Sequence, residues 1–348
     1  MLLVAVPNEA IADLTVTTEI SGRAGLVRIK VNRFAGDAAI ARVSLRGTSV
    51  LAETNVVDEA EVMLTVPEAA LWSPDSPNLY DLTVELACNS ATLDRYSLPI
   101  GIRTIRVEGD ALLLNGRPIY LKGFGRHEDF PVTGRGLVPA VIVKDYALMK
   151  WIGANSFRTT HYPYSEQMMD LADRLGFMVI DEIPAVGLFF AEVGLERRLS
   201  VCRQYVQELI ARDKNHPSAI MWSIANGWYT QPGQLDEGLP LLAAELDAMH
   251  EKFAKPLIMT EFGADTIAGH HAQPPEMFSE EYQAEMLTRY FGLFRSRPFV
   301  VGEHVWNLCD FKTPQAVHRI GGMNLKGVFT RDRRPKLAAH RLRELWNK

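Results

Sequence analysis

Ala219-Ile-Met-Trp-Ser-Ile-Ala-Asn226 is an apolar run of strand length that ends in a polar residue. Leu257-Ile-Met-Thr-Glu261 repeats this pattern, and its last residue is a carboxylate. Between the two runs, Leu235 to Phe253 has the length and apolar spacing of an amphipathic helix. A strand, a helix and a second strand in this order indicate a parallel sheet, whose functional side chains gather where the strands end.

The same alternation of strand and helix extends over residues 106–348. Six strands are predicted, at Ile119–Phe124, Ser156–His161, Phe177–Glu182, Ala219–Ala225, Leu257–Glu261 and Phe299–Trp306. Helices are predicted at Pro139–Trp151, Ser165–Leu175, Arg198–Asp213, Leu235–Phe253 and Glu280–Phe294, with a last one from Leu337. Polar residues at successive strand ends favour a TIM-type (β/α) barrel over an open sheet, although such a barrel has eight strands.

Residues 1–105 have a different pattern, of short segments in which apolar and polar residues alternate. The segments are rich in β-branched residues and are separated by Gly, Asn, Asp and Pro. This pattern predicts an immunoglobulin-like β-sandwich of roughly seven strands. The predicted organisation is therefore a sandwich over 1–105 followed by an incomplete α/β barrel over 106–348.

Composition narrows the class of protein. The 348 residues are 47% hydrophobic and 23% charged, with a net charge of -5, which is typical of a globular protein and argues against nucleic acid or a membrane surface as a partner. Three scattered cysteines suggest neither disulfides nor a metal site, and no signal peptide or apolar run of membrane-spanning length is evident. We expect a cytoplasmic protein with no metal and no cofactor. Whether it forms a homo-oligomer stays open.

The two barrel strands that the sequence pattern lacks can be assigned to one position in the chain. One βα unit averages roughly 30 residues, so two absent units would remove on the order of 60. The junction between Asn226 and Gly227 is where we expect them to be missing. The strands that end at Asn226 and Glu261 would then become neighbours in the sheet, with Leu235–Phe253 as the helix that connects them.

Several long motifs resemble those of glycoside hydrolases of family 2, and of the β-glucuronidases among them. These motifs are Asn155–Pro163 with Gly176–Glu182, Asp213–Asn226, Gly123–Asp129, Gly302–Asn307 and Asn324–Asp332. The resemblance covers nearly the whole chain, except that the family carries a further jelly-roll domain before the sandwich. In the family the second motif continues into Asn-Glu-Pro, whose Glu is the acid/base, whereas here Asn226 is followed by Gly227-Trp-Tyr229.

The resemblance implies a retaining glycosidase that cleaves β-D-glucuronides. Such enzymes use two carboxyl groups, a nucleophile and a proton donor. Glu261 matches the family's nucleophile, whereas the acid/base has no counterpart. Glu182 and Glu303 also end predicted strands and are the alternatives for its role, although a structural role in hydrogen-bonded networks is favoured for both.

The remaining candidates are substrate-binding residues. A glucuronide carries a carboxylate at C6, which a fixed cation and an amide donor can select. Candidates for that contact are Arg319, Asn324 and Lys326, with Tyr229 as a hydroxyl donor. Asp129 and Asn226 suit the sugar hydroxyls and Trp306 suits the ring face, although Asp129 could instead cap a turn and Trp306 could belong to the core.

Two other functions stay open at this stage. The chain could bind a sugar acid without turning it over, because the proton donor is absent. It could also be a deletion product with no function of its own.

Overall fold

The computed structural model describes residues 5–34, 36–89, 91–186, 194–226, 235–314 and 319–347. Within these ranges, the elements fall into a two-sheet β-sandwich, a short three-stranded sheet and a parallel α/β sheet. No described helix has the length and apolar character needed to cross a membrane.

The predicted sandwich is confirmed, with seven strands in two antiparallel sheets. The strands are β1 (Ile11–Ser21), β2 (Ala24–Arg33), β3 (Ala39–Leu45), β4 (Leu51–Val56), β5 (Glu59–Val66), β6 (Tyr80–Cys88) and β7 (Ala91–Ile100). One sheet has the order β1-β2-β5 and the other the order β4-β3-β6-β7. Alternate residues of β2, β3 and β5 face the shared core, as Val27, Ile29 and Val31 of β2 do.

A short sheet connects the sandwich to the barrel. It consists of β8 (Ile105–Glu108), β9 (Ala111–Leu114) and β10 (Arg117–Pro118). Leu112 and Leu114 pack in one apolar cluster with Trp72 from the sandwich side and with Met178 and Ile220 from barrel strands. This cluster fills the sheet interior near the ends of the strands opposite to the candidate site, so the two halves of the chain share a core.

The six predicted barrel strands are present, and all their pairings are parallel. They are β11 (Leu121–Arg126), β12 (Ser156–Thr159), β13 (Met178–Glu182), β14 (Ala219–Ser223), β15 (Leu257–Phe262) and β16 (Val300–Val305). The helices are α1 (Pro139–Ile152), α2 (Glu166–Leu175), α3 (Leu195–Asp213), α4 (Leu235–Phe253), α5 (Glu280–Arg295) and α6 (Leu337–Trp346). A short ladder of β17 (Phe311–Lys312) and β18 (Met323–Asn324) follows β16.

The expectation that β14 and β15 become neighbours is wrong. The sheet order is β14-β13-β12-β11-β16-β15, so in the described part of the chain these two strands are the edges of a half-barrel and do not pair. The other strands keep the neighbours that a barrel gives them. Closing six strands would narrow the barrel and change its tilt, and the sheet instead keeps its curvature and leaves two edges.

The start of β14 is fixed by the sandwich. The amide of Asn215 accepts from the N–H of Val16 at 2.8 Å and donates to the carbonyl of Leu14 at 2.8 Å, so it pairs with the edge of β1 as a strand would. Arg103 donates to the carbonyl of Ala219, the first residue of β14, at 2.7 Å. An edge strand of the half-barrel is therefore anchored by contacts from outside the barrel.

The two edges lead to a prediction about hydrogen exchange. Backbone amides of β14 and β15 that point away from their single partner strands should exchange at least ~10-fold faster than amides of β12, which has a partner on each side. Mass-spectrometric hydrogen exchange measures this, with β3 of the sandwich as a second reference. Equal protection of β12, β14 and β15 would contradict two open edges.

Candidate active site

The centre of the candidate site is a buried guanidinium between two carboxylates. Arg158, in β12, donates from Nη1 to Oε2 of Glu182 at 2.5 Å and from Nη2 to Oε2 of Glu261 at 2.6 Å. Glu182 is fully buried, whereas the side chain of Glu261 is 36% exposed. Of the two carboxylates, only Glu261 is therefore open to a ligand.

Glu182 accepts hydrogen bonds from three neighbouring side chains. Besides Arg158, it accepts from Oγ of Ser223 at 2.7 Å and from Nδ1 of His161 at 2.7 Å. Burial would raise the pKa of Glu182, but the hydrogen bond from His161 and the charge of Arg158 outweigh it, so the pKa lies below its usual value. Glu182 is thus deprotonated at neutral pH, and the structure does not favour it as a proton donor.

Glu303 lies on the side of the sheet that faces α6, away from Glu261. Its Oε1 accepts from Nε1 of Trp346 in α6 at 2.8 Å, and its Oε2 accepts from the hydroxyl of Tyr120 at 3.1 Å. The next residue, His304, bonds Ser156 through Nε2. Burial raises the pKa of Glu303 to about 7, which would suit an acid, but the side chain faces the outer helices.

Asn226 is connected to Glu182 through His161. Its Nδ2 is 3.3 Å from Nε2 of His161, whose Nδ1 bonds Glu182. The deprotonated Glu182 can only accept, so His161 donates to it from Nδ1. Trp306 stacks on the ring of His161, with centroids 5.2 Å apart, and is 6% exposed. One face of the predicted aromatic platform is therefore covered in this structure.

Asp129 is held by an arginine from the C-terminal part of the chain. Arg331 donates to both of its carboxylate oxygens, at 2.6 and 3.0 Å, and the N–H of Lys312 adds a third hydrogen bond. Burial would raise the pKa of Asp129, but these donors outweigh it and lower the pKa. The carboxylate is fixed in its charged form, with one oxygen accepting a single hydrogen bond.

Two of the predicted residues, Arg319 and Lys326, lie close to Asp265, a residue that the sequence analysis did not name. Nη1 of Arg319 is 3.6 Å and Nζ of Lys326 is 4.0 Å from the carboxylate of Asp265. Asp265 also accepts from the N–H of Leu325, and Asn324 accepts from the N–H of Lys326. Two cations thus share one carboxylate through long contacts. Asp265 lies four residues after Glu261, so its position just beyond a strand end was the available signal.

One further arginine ends a barrel strand but is held elsewhere. Arg126, the last residue of β11, is buried and donates to Asp145 in α1 at 2.9 Å. Tyr229 lies outside the described residues.

Among the residues that the structure describes, one set of side chains has a spacing that a metal ion could use, formed by Asp170, Asp173 and His216. Nδ1 of His216 bonds Asp173 at 2.6 Å, and Asp173 also accepts from the N–H of Ser218. Burial would lower the pKa of His216, but the Asp173 carboxylate outweighs it and raises the pKa. A proton on His216 competes with a metal, so this arrangement favours a structural hydrogen-bond network.

Comparison with family models gives matches over nearly the entire chain. Residues 9–103 match "Glycosyl hydrolases family 2", and residues 105–230 and 227–348 match "Glycosyl hydrolases family 2, TIM barrel domain". The chain belongs to glycosyl hydrolase family 2. The barrel model of family 2 matches in two stretches, and these meet at residues 227–230.

Relatives within family 2 are β-glucuronidases. The chain is 40% identical to a β-glucuronidase of Paenibacillus borealis over 403 positions, covering 97% of this chain and 67% of that protein. It is 36% identical to the human β-glucuronidase over 416 positions, covering 99% of this chain and 62% of that one. The chain thus spans about two thirds of the length of these relatives. Both alignments are also longer than its 348 residues.

Solved structures of family 2 agree with the fold. A Ruminococcus gnavus β-glucuronidase in complex with C6-substituted uronic isofagomine has a TM-score of 0.92 at 37% identity, covering 98% of this chain and 69% of that one. A β-D-glucuronidase of Dictyoglomus thermophilum has a TM-score of 0.90 at 39% identity, with the same coverage of the two chains.

The buried Glu303 predicts how stability changes with pH. Between the unfolded pKa of 4.5 and the folded pKa of about 7, the folded state binds more protons, so the free energy of unfolding falls as the pH rises through this window. Glu303→Gln removes this titration and keeps an acceptor for Trp346. Relative to the wild type, its free energy of unfolding should rise across the window by on the order of 3 kcal/mol.

Urea unfolding at several pH values measures this difference. Glu344→Gln, a change at an exposed glutamate of α6, is the control and should leave the pH profile unchanged. Parallel profiles for the wild type and Glu303→Gln would contradict a raised pKa at Glu303.

Proposed function

We propose that this chain carries a β-glucuronidase-type site in which Glu261 is the nucleophile of a retaining glycosidase. In this mechanism a carboxylate attacks the anomeric carbon and forms a covalent glycosyl intermediate, while an acid protonates the leaving oxygen. Glu261 is at the end of a barrel strand, is open to solvent, and is fixed by a hydrogen bond from Arg158. The membership in family 2 and the β-glucuronidase relatives support this assignment.

The pair of cations around Asp265 supports a β-glucuronide as the substrate. Arg319 and Lys326 bring two positive charges to one carboxylate, at 3.6 and 4.0 Å, which leaves one net positive charge in this group. A second carboxylate, such as the C6 group of a glucuronide, would complete the charge balance. The position of the group supports this role, because Leu325 bonds the segment that directly follows Glu261.

We propose in addition that about two βα units are absent after residue 226. The alignment with the human relative spans 416 positions against 348 residues here, so at least 68 positions of the alignment have no counterpart in this chain. The split of the barrel match at residues 227–230 supports the same place. The family's acid/base directly follows the counterpart of Asn226, so its loss follows from this absence.

The expected activity is therefore impaired hydrolysis. Neither Glu182 nor Glu303 is a suitable proton donor, because Glu182 is charged and enclosed and Glu303 faces the outer helices. The same facts favour a second candidate function, in which the chain binds a glucuronide without turning it over. We also propose a cytoplasmic location, which the three free cysteines support.

The lost acid predicts a dependence on the leaving group. General acid catalysis contributes roughly 10²–10⁴-fold, and a nitrophenolate leaves without a proton whereas an alkoxide does not. We expect slow hydrolysis of p-nitrophenyl β-D-glucuronide and no measurable hydrolysis of methyl β-D-glucuronide. Glu261→Gln should abolish the slow reaction. Equal, enzyme-like rates on both substrates would show that another group supplies the proton.

If Arg319 and Lys326 bind the C6 carboxylate, the loss of one of these cations should weaken the binding of glucuronides specifically. A charge-assisted hydrogen bond contributes roughly 1.5–3 kcal/mol, so Lys326→Ala should weaken binding of methyl β-D-glucuronide about 10- to 100-fold. Binding of methyl β-D-glucoside, which lacks the carboxylate, should stay unchanged. Calorimetry measures both, with Lys144→Ala on the exposed face of α1 as the matched control. Equal weakening of both ligands would give Lys326 a structural role.

A further inference from the structure

The two edge strands of the half-barrel are less buried than the strands between them. All residues of β12, β13 and β16 are buried. In contrast, β14 has two buried residues, and β15 has one. Trp222 on β14 is 37% exposed, and Ile224 just after it is 68% exposed. Parallel sheets are normally covered on both sides, so among the described residues this is an apolar surface with an open backbone edge.

This surface consists of two edges that belong to one opening. In the part of the chain that the structure describes, β14 pairs only with β13 and β15 pairs only with β16. The superposition on the Ruminococcus gnavus β-glucuronidase, with a TM-score of 0.92 over 98% of this chain, indicates that the six strands keep their places in the barrel. The opening therefore has the width of two strands, about 14 Å between strand axes at the usual spacing of about 4.8 Å.

We propose that the opening between β14 and β15 is a docking site for a separate polypeptide of two βα units. This partner would pair with both edges, cover Trp222 and Ile224, and close an eight-stranded barrel. The proposal rests on the function proposed above, because the partner would also carry the proton donor that the site lacks.

The size of the partner follows from the relatives. The alignments with the Paenibacillus and human proteins exceed the length of this chain by at least 55 and 68 positions, and two βα units need on the order of 60 residues. The meeting of the two barrel matches at residues 227–230 places that difference between the two edges. A second copy of this chain fits less well, because it would bring a six-stranded sheet to a two-strand opening.

The position of the opening gives the partner its role. The first residues of the partner would follow the end of β14, next to Asn226 and on the same side of the sheet as Glu261. A carboxylic acid at this place would face Glu261, whose side chain is 36% exposed. The partner would therefore supply the second carboxyl group that a retaining glycosidase needs.

The test uses the segment of the Paenibacillus borealis β-glucuronidase that lies between its counterparts of Asn226 and Gly227, made as a separate polypeptide. Native mass spectrometry should detect a 1:1 complex with the intact chain. In the complex, amides of β14 and β15 should exchange at least ~10-fold more slowly, and amides of β3 should not change. Hydrolysis of methyl β-D-glucuronide, which is not measurable for the chain alone, should become measurable in the complex, because a general acid contributes roughly 10²–10⁴-fold.

A matched pair of variants separates docking from unspecific association. Trp222→Lys places a charge on the proposed surface and should weaken the complex at least ~10-fold. Tyr96→Lys changes an aromatic residue of the sandwich that is 55% exposed and should leave the complex unchanged. Equal effects of both variants would overturn the proposal.

The remaining outcomes are equally decisive. The same segment inserted between Asn226 and Gly227 of one chain shows whether it can fold here. Protection of β14 and β15 in that insertion protein, with no complex from the separate segment at 100-fold molar excess, would overturn docking. If the amides of β14 and β15 are not protected in the insertion protein, the docking proposal is also overturned. If a dimer of this chain protects these amides, the surface belongs to a second copy and the proposal is wrong. A complex that forms without any hydrolysis would support docking and contradict the proposed function.

Discussion

The half-barrel depends on the buried guanidinium of Arg158. This side chain bonds Glu182 on the adjacent strand and also reaches Glu261 on β15, three strands away in the sheet order. The bond to Glu261 therefore crosses the interior of the half-barrel and joins two strands that do not pair with each other. Backbone hydrogen bonds hold only neighbouring strands together, so this side-chain bond helps to keep the sheet curved. Loss of the cation would leave a fully buried carboxylate without its charge partner, which is among the more costly changes in a protein interior. The network thus connects the shape of the sheet to the position of the candidate nucleophile.

Local patterns predicted the elements well, because periodicity and capping are properties of short segments. The helix predicted at Leu235–Phe253 has these bounds in the structure, and the six strands were counted correctly. The order of the strands in the sheet could not be predicted in this way, because it depends on pairing between distant segments. β14 and β15 became edges because the sheet keeps the curvature set by its four inner strands, and nothing in either segment reports on that curvature.

For the candidate site, the sequence predicted which residues lie at strand ends but not which way their side chains point. A strand-end position gives the height of a residue along the sheet but not the face on which its side chain lies. Glu261 and Glu303 both come near the ends of predicted strands, yet one faces the interior and the other faces α6. The charge state of Glu182 depends on three donors from two other segments of the chain. The cations near Asp265 are about 60 residues away from it in the chain.

The anchoring of β14 by the sandwich has an evolutionary consequence. A strand that loses a neighbour normally loses much of its support, so an interior deletion in a barrel should be purged by selection. Here Asn215 and Arg103 connect the beginning of β14 to a neighbouring domain with its own core. A fused domain of this kind supports an edge strand from outside the sheet, so the strand needs fewer neighbours within the sheet to stay in place.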